Sequence, residues 1–279
     1  MSRALTGRPR RRRVSRVRLV LALVLAVVAV GYWALTEVAG PLGLRGPLTA
    51  VGLLPAPPAD PPPLPRDAVL RPQFTTTEGP VRAGSAFVVR REGGLLLLTA
   101  NHLLGQAGGM SRDHTGTELD RIVQGVDLHS VDDPSATLSA RHLLSLPDSA
   151  ATAQTSDHDL VAFALPDAGP AHPLELADAN PSPGDTVFLL AEPYGGHGAK
   201  LVPATVEVGG AGRTLRYTFA PDAGITEPEF RSTSGAPVLD AHGRVVALNC
   251  AAGTDRNGGI SARGVAVASI RQMLAGATG

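Results

Sequence analysis

The chain has 279 residues, 43% of them apolar, which excludes general disorder and gives enough material for one large or two small cores. Its zero net charge hides a split: eight of the 25 basic residues are arginines within the first 18 positions, where no acid occurs. The remainder therefore sets 17 basic against 25 acidic residues, a net −8 that argues against nucleic-acid binding by the body. Cys250 is the one cysteine, so an intramolecular disulfide is excluded and the body must be held by its core.

Residues 1–18 form the basic head. Leu19 to Thr36 is an uncharged, mostly apolar run of 18 residues. As a helix it would span about 27 Å at ~1.5 Å per residue, close to the ~30 Å of a bilayer core. Tyr32 and Trp33 sit at its far end, where interfacial aromatics anchor a span. We therefore expect a transmembrane anchor over 19–40, with the arginines cytoplasmic and the C-terminal body outside. A cleaved signal peptide is the competing reading, but the run is long for one and no small-x-small cleavage site follows it closely. Residues 41–72 read as a linker: eight prolines lie between Pro55 and Pro72, a composition that favours extended polyproline II over a core.

From 73 to 279 the chain reads as many short strands divided by turn residues. Strands are expected over 85–91, 95–100, 122–131, 136–146, 160–165, 186–191, 200–208, 214–219, 237–240, 244–249 and 264–267. Val267, Ile270 and Leu274 recur at helical spacing and predict a C-terminal helix. The class is all-β.

Three stretches carry chemistry. The apolar run Leu95–Leu98 leads through Thr99-Ala100-Asn101 to His102, a rigid placement of the kind a general base needs. Asp157-His158-Asp159 opens the apolar strand Leu160–Leu165. Ser232-Thr233-Ser234-Gly235-Ala236-Pro237 is a small polar loop that turns straight into a strand, and Asp240-Ala241-His242-Gly243 then makes a hairpin turn. The three supply His102, Asp159 and Ser234, 57 and then 75 residues apart. A serine hydroxyl is a weak nucleophile until a base takes its proton, and that base needs a carboxylate to fix its tautomer. His102 as base, Asp159 as its orienter and Ser234 as nucleophile meet that requirement. The eight histidines show no metal-ligand spacing, so neither a metal nor another cofactor is expected. Cys250 reads as a small packed residue rather than a second nucleophile.

At these residues the sequence resembles the trypsin-like serine peptidases of the chymotrypsin fold, above all the disulfide-free HtrA-type bacterial branch. The resemblance lies in Gly84-Ser85-Ala86-Phe87-Val88-Val89, Thr99-Ala100-Asn101-His102, Asp159-Leu160-Val161-Ala162, Pro183-Gly184-Asp185-Thr186-Val187 and Ser234-Gly235-Ala236-Pro237-Val238. It implies two six-stranded antiparallel β-barrels with the triad at their junction, followed by the C-terminal helix. No PDZ domain is expected after that helix, so caged oligomers are not implied. The resemblance assigns the oxyanion hole to the backbone N–H groups of Ser232 and Ser234. Where the family usually has Gly-Asp or Gly-Asn, this chain has Ser232-Thr233, a departure in the loop that must aim those donors. By the same resemblance Asn249, Cys250 and Ala251 form the edge that pairs with a substrate backbone, and Thr226–Phe230 line the first specificity pocket, where Glu227 and Glu229 read either as solvated loop carboxylates, the commoner outcome, or as a preference for a basic side chain. The expected protein is a membrane-anchored serine endopeptidase on the extracytoplasmic side, with protein or peptide substrates and no nucleic-acid partner. The alternatives are a weak or inactive relative that binds peptides or a protein partner through the same cleft, and a purely structural anchored β-domain.

Overall fold

The structure, a computed structural model, describes residues 59–146, 149, 157–192, 198–209, 212–220, 230, 232–254 and 259–277. The basic head, the apolar run and the linker up to residue 58 lie outside the described residues. Their assignment as head, anchor and spacer is therefore not addressed by the fold.

Nine strands make up the first lobe: β1 (Leu70–Thr76), β2 (Gly79–Arg82), β3 (Ala86–Arg91), β4 (Gly94–Thr99), β5 (Val123–Ser130), β6 (Thr137–Ala140), β7 (His142–Leu143), β8 (Val161–Leu165) and β9 (Leu174–Glu175). A short helix, α1 (Gly116–Ile122), precedes β5. The ladder runs β6-β5-β1-β3-β4-β8-β7, with β2 paired to β1 and β9 parallel to β3. This corrects the expected count of six. The two ends of the ladder, β6 and β7, are successive pieces of chain with only Arg141 between them, so the sheet is brought round on itself covalently. Arg141 donates to the Val126 carbonyl and pairs with Asp127, which pulls that residue out of the strand and splits one expected strand into two.

The apolar run Leu95–Leu98 forms a central strand, β4, flanked by β3 and β8. Leu96, Leu97 and Leu98 are all buried, so both faces of the strand are covered and the sequence shows no alternation there. Each such leucine contributes roughly 1.5–3 kcal/mol by leaving water. Phe74 and Phe163 stack across the interior with ring centroids 6.4 Å apart.

The second lobe is the closed six-stranded barrel that the resemblance implies. Its strands are β10 (Thr186–Ala191), β11 (Lys200–Val208), β12 (Thr214–Phe219), β13 (Pro237–Leu239), β14 (Val245–Thr254) and β15 (Ile260–Ala266), closed in the order β10-β11-β12-β15-β14-β13. Val187, Leu189 and Ala191 face the barrel core with Tyr217 and Phe219, while Leu190, Leu239, Leu248 and Val265 pack with the first lobe's core. Alternate residues of one strand thus serve two cores. The Asp240 carboxylate accepts from the His242 and Arg244 N–H groups and the Arg244 side chain, which fixes the expected β13–β14 hairpin. The C-terminal helix α2 (Val267–Ala275) buries Val267, Ile270, Met273 and Leu274.

The body begins earlier than residue 73. β1 opens at Leu70, Ala68 and Val69 are buried, and Pro62 is buried too. Pro72 lies inside β1 opposite Leu128, a place the proline-based linker assignment could not anticipate.

Candidate active site

His102 sits on a 3₁₀ turn, Asn101–Leu104, that begins two residues after the end of β4 at Thr99. Asp159 lies two residues before β8, which is paired with β4 along its whole length, so the ladder itself brings the two side chains together. The Asp159 carboxylate accepts the His102 backbone N–H at 2.8 Å through Oδ1 and faces Nδ1 of the ring at 2.6 Å through Oδ2. A carboxylate only accepts, so this partner assigns the proton to Nδ1 and leaves Nε2 as the free base. The Asp159 side chain is 7% exposed and that of His102 21%, so the acid is enclosed while the base reaches solvent. Asp157 turns elsewhere, 3.9 Å from Nε2 of His158. Asn101, wholly buried, donates to Ser149 Oγ at 2.6 Å, and Ser149 in turn donates to the Leu160 carbonyl. That chain ties the histidine turn to the start of β8, and the sequence does not show it because Ser149, 48 positions from Asn101, belongs to no motif.

Ser234 comes from the other lobe, just ahead of β13. Its loop is pressed against the Gly84-Ser85 turn: the Ser85 N–H donates to the Ser234 carbonyl at 2.7 Å. The approach is too close for side chains. A Cβ on Gly235 (φ +84°) would lie 2.1 Å from the Ser85 carbonyl oxygen, and one on Gly84 (φ +68°) 2.6 Å from that of Ser234. The Ser234 hydroxyl donates to the Cys250 carbonyl at 3.0 Å rather than to His102. Cys250 also touches Asp159, with Sγ 4.0 Å from its carbonyl oxygen. A register shift between Asn249 and Ala251 on β14 aims Cys250 at both partners. Burial pushes the thiol well above its usual range, with the nearby Asp159 charge adding to the effect, as suits a packed residue.

The Ser232-Thr233 departure has a structural counterpart. Thr233 is fully buried and its hydroxyl donates to the Phe230 carbonyl at 2.8 Å. Asn249 Nδ2 donates to both the carbonyl and the hydroxyl of Thr233 at 3.0 Å, and Tyr217 donates to Asn249 Oδ1 at 2.7 Å. A neutral chain of side chains thus fastens the residue before Ser234. The Ser232 carbonyl accepts from Arg71 and Ser85, and its hydroxyl donates to the Glu192 carbonyl. Among the described residues no acceptor takes the Ser234 N–H. The peptide that joins residue 231 to Ser232 lies outside them.

The expected substrate edge needs trimming. Asn249 accepts from the Gly235 N–H and donates its own N–H to Ala236, so its backbone is spent inside the barrel and its side chain is buried. Beyond Leu248, β14 has β15 on one side and, among the described residues, no strand on the other. The free edge therefore starts at Cys250 and continues through Ala251. An open groove of about 470 Å³ is lined by Ala251, Ala252 and Gly253 together with Arg216 and Arg263. Phe230 packs on Phe219 in the barrel core at 4.9 Å instead of lining a pocket, while Thr226–Glu229 lie outside the described residues. Among the described residues no three His, Cys, Asp or Glu side chains converge as metal ligands.

Comparison with known proteins puts this geometry in a family. No curated protein sequence matches the chain. Among solved structures the fold is similar to the HtrA-type protease AlgW with tripeptide (TM-score 0.47, 18% identity, 76% of this chain and 60% of that one). It is also similar to the active form of the Rv3671c protease from M. tuberculosis (TM-score 0.49, 16% identity, 81% and 91%). A third is the apo MamO protease domain from Magnetospirillum magneticum (TM-score 0.46, 16% identity, 75% and 97%). The chain spans about three fifths of the length of the AlgW chain. The profile of the trypsin-like peptidase domain matches residues 84–248. That is more than half the chain, and it takes in the Gly84 turn, His102, Asp159 and Ser234 together: this protein belongs to the trypsin-like peptidase family.

Proposed function

We propose that the protein is a serine endopeptidase that cleaves peptide bonds with His102, Asp159 and Ser234, anchored in a membrane by the run at 19–40 and working on the extracytoplasmic side. The observation that carries the reading is the double engagement of His102 by Asp159, through the backbone N–H and through Nδ1. A histidine held so by an enclosed carboxylate keeps Nε2 basic and stabilises the imidazolium once it has taken a proton. In the proposed reaction a substrate strand pairs with the free edge at Cys250–Ala251 and draws the Ser234 hydroxyl from the Cys250 carbonyl toward His102. Oγ then attacks the scissile carbonyl, its proton passes to Nε2, and the oxyanion forms beside the Ser234 and Ser232 N–H groups. Collapse expels the amine, which takes the proton back, and water releases the acyl group by the same path.

The second reading, a peptide-binding relative with little turnover, is favoured by the Ser234 hydroxyl resting on Cys250. A fluorophosphonate probe on the full-length protein in detergent separates the two. Labelling that is lost in Ser234→Ala and strongly slowed in His102→Ala is the expected result. An unlabelled wild-type chain that still binds peptides overturns the enzyme reading.

A further inference from the structure

The least expected arrangement in the molecule surrounds Arg71, a β1 residue that no motif marks. Its side chain is 18% exposed and every nitrogen has a partner. Nε and Nη2 hold Glu192 Oε2 at 3.1 and 2.7 Å, and Nη2 also donates to the Glu192 carbonyl at 3.0 Å. Nη1 donates to the Gly84 carbonyl, to Ser85 Oγ and, at 2.8 Å, to the Ser232 carbonyl. Ser85 Oγ donates to that same Ser232 carbonyl at 2.7 Å. One guanidinium thereby joins the first lobe, the end of β10 and the loop that leads into Ser234.

We infer that Arg71 is a positioning residue for the oxyanion loop, acting through the Ser232 carbonyl and itself oriented by Glu192. The inference rests on the peptidase reading. A peptide unit is planar and trans, so the Ser232 carbonyl and the Thr233 N–H point to opposite sides. The carbonyl is held by two donors, one of them charged, and the N–H donates to Phe230 at 3.0 Å. Turning this unit breaks all three bonds at once. Held as it is, the partial negative charge of the carbonyl is drawn to Arg71, away from the Ser234 N–H, which no acceptor among the described residues takes. Released, the carbonyl is free to swing, and a carbonyl facing a developing oxyanion repels it. The contribution therefore belongs to the transition state and appears in kcat rather than in KM. Lysine gathers its three donors at one point and does not reproduce the separate arms by which the guanidinium reaches Glu192 and Ser232.

The test uses the full-length protein, a peptide substrate and active sites counted by fluorophosphonate titration. Arg71→Ala should lower kcat per titrated site by about 10–100-fold, the scale of one hydrogen bond from a charged donor, with KM unchanged within about twofold. Arg71→Lys should not rescue it, whereas millimolar guanidinium should restore part of the loss in Arg71→Ala and leave wild type alone. A brace that only stabilises the fold would lower the number of titrated sites and the Tm while each remaining site turned over normally, and that result overturns the inference. Ser85→Ala keeps the Arg71–Glu192 pair and serves if Arg71→Ala does not fold. Losing one hydrogen bond to Ser232 should cost about threefold to tenfold in kcat, and an unchanged kcat in a folded Ser85→Ala protein overturns the inference too. Wild-type protein that takes no label removes the peptidase reading itself, and the inference with it. A labelled wild type with unaffected variants removes the inference alone.

Discussion

Three hydrogen bonds meet at the side chain of Asn249, two to Thr233 and one from Tyr217, and all three residues are fully buried. Replacing Tyr217 by Phe leaves Asn249 Oδ1 without its donor in a place water does not reach. Such an orphaned acceptor costs about 1–3 kcal/mol, to be read from a shifted denaturation midpoint, and a change within error would mean the network relaxes around the loss. Cys250 permits a second prediction. Its thiol is buried and its pKa raised, first by desolvation, so iodoacetamide at mildly alkaline pH should leave the native protein untouched and alkylate it on unfolding. Rapid native alkylation would show that β14 opens at the register shift. His102, Asp159 and Ser234, the three residues proposed for the site, stand out in the sequence because each closes or opens an apolar strand within a recognisable motif. Arg71, Glu192, Ser149 and Tyr217 do not. Their partners lie between 11 and 161 positions away, and such pairing is set by topology rather than by local pattern.

Most strands were visible as apolar runs, and the exceptions have identifiable causes. β1 carries Pro72 and follows a proline tract, so composition assigned it to the linker, although it ladders with β2, β3 and β5. α1 is only seven residues long, and its signal was the pair Thr115 and Glu118 rather than periodicity. Glu118 Oε2 accepts the Thr115 N–H at 2.9 Å and Oε1 pairs with Arg112 at 2.7 Å. The Arg112 hydrogen bond, then those from Thr115, lower the Glu118 carboxyl from 4.5 to about 2. Because the folded value is depressed, this contribution is present above about 4.5 and is lost as pH falls through about 2. Amide exchange in the first turn of α1 should therefore quicken on acidification between those values, and Glu118→Gln should remove that pH response. Equal protection at both ends of the window would show that packing, not the cap, holds the turn. The Gly84–Gly235 contact predicts a larger effect. Gly235→Ala forces a Cβ against the Ser85 carbonyl at a backbone angle that alanine resists, so Tm and fluorophosphonate labelling should both fall.

At the scale of the molecule, the N-terminal approach to the body is fastened rather than loose. Asp67 takes a left-handed backbone (φ 57°). Its N–H donates to Asp132 Oδ2 at 2.8 Å, its carboxylate accepts from Ser130 Oγ at 2.6 Å, and its carbonyl accepts the His172 N–H at 3.0 Å. Asp132 also accepts the Ala199 N–H at 3.1 Å, so the entry to β1 and the entry to β11 share one carboxylate. A fragment starting at residue 73 would cut through β1 and remove Arg71 with it, and any truncation should keep Ala59 onward. The charge split of the chain bears on the orientation of the proposed anchor. Eight arginines precede the apolar run and the remainder is net acidic, and positive charge beside a span is retained on the cytoplasmic side. We therefore expect a reporter that is active only outside the cytoplasm to give signal when fused after Pro57, ahead of the fastened segment. Exchanging the arginines at 10–13 for glutamate should weaken that signal, because the orientation rests on them. Signal only from a reporter that requires the cytoplasm would reverse the orientation and place the proposed substrates inside the cell. A reporter signal that persists in the soluble fraction would instead show that the run is removed as a leader.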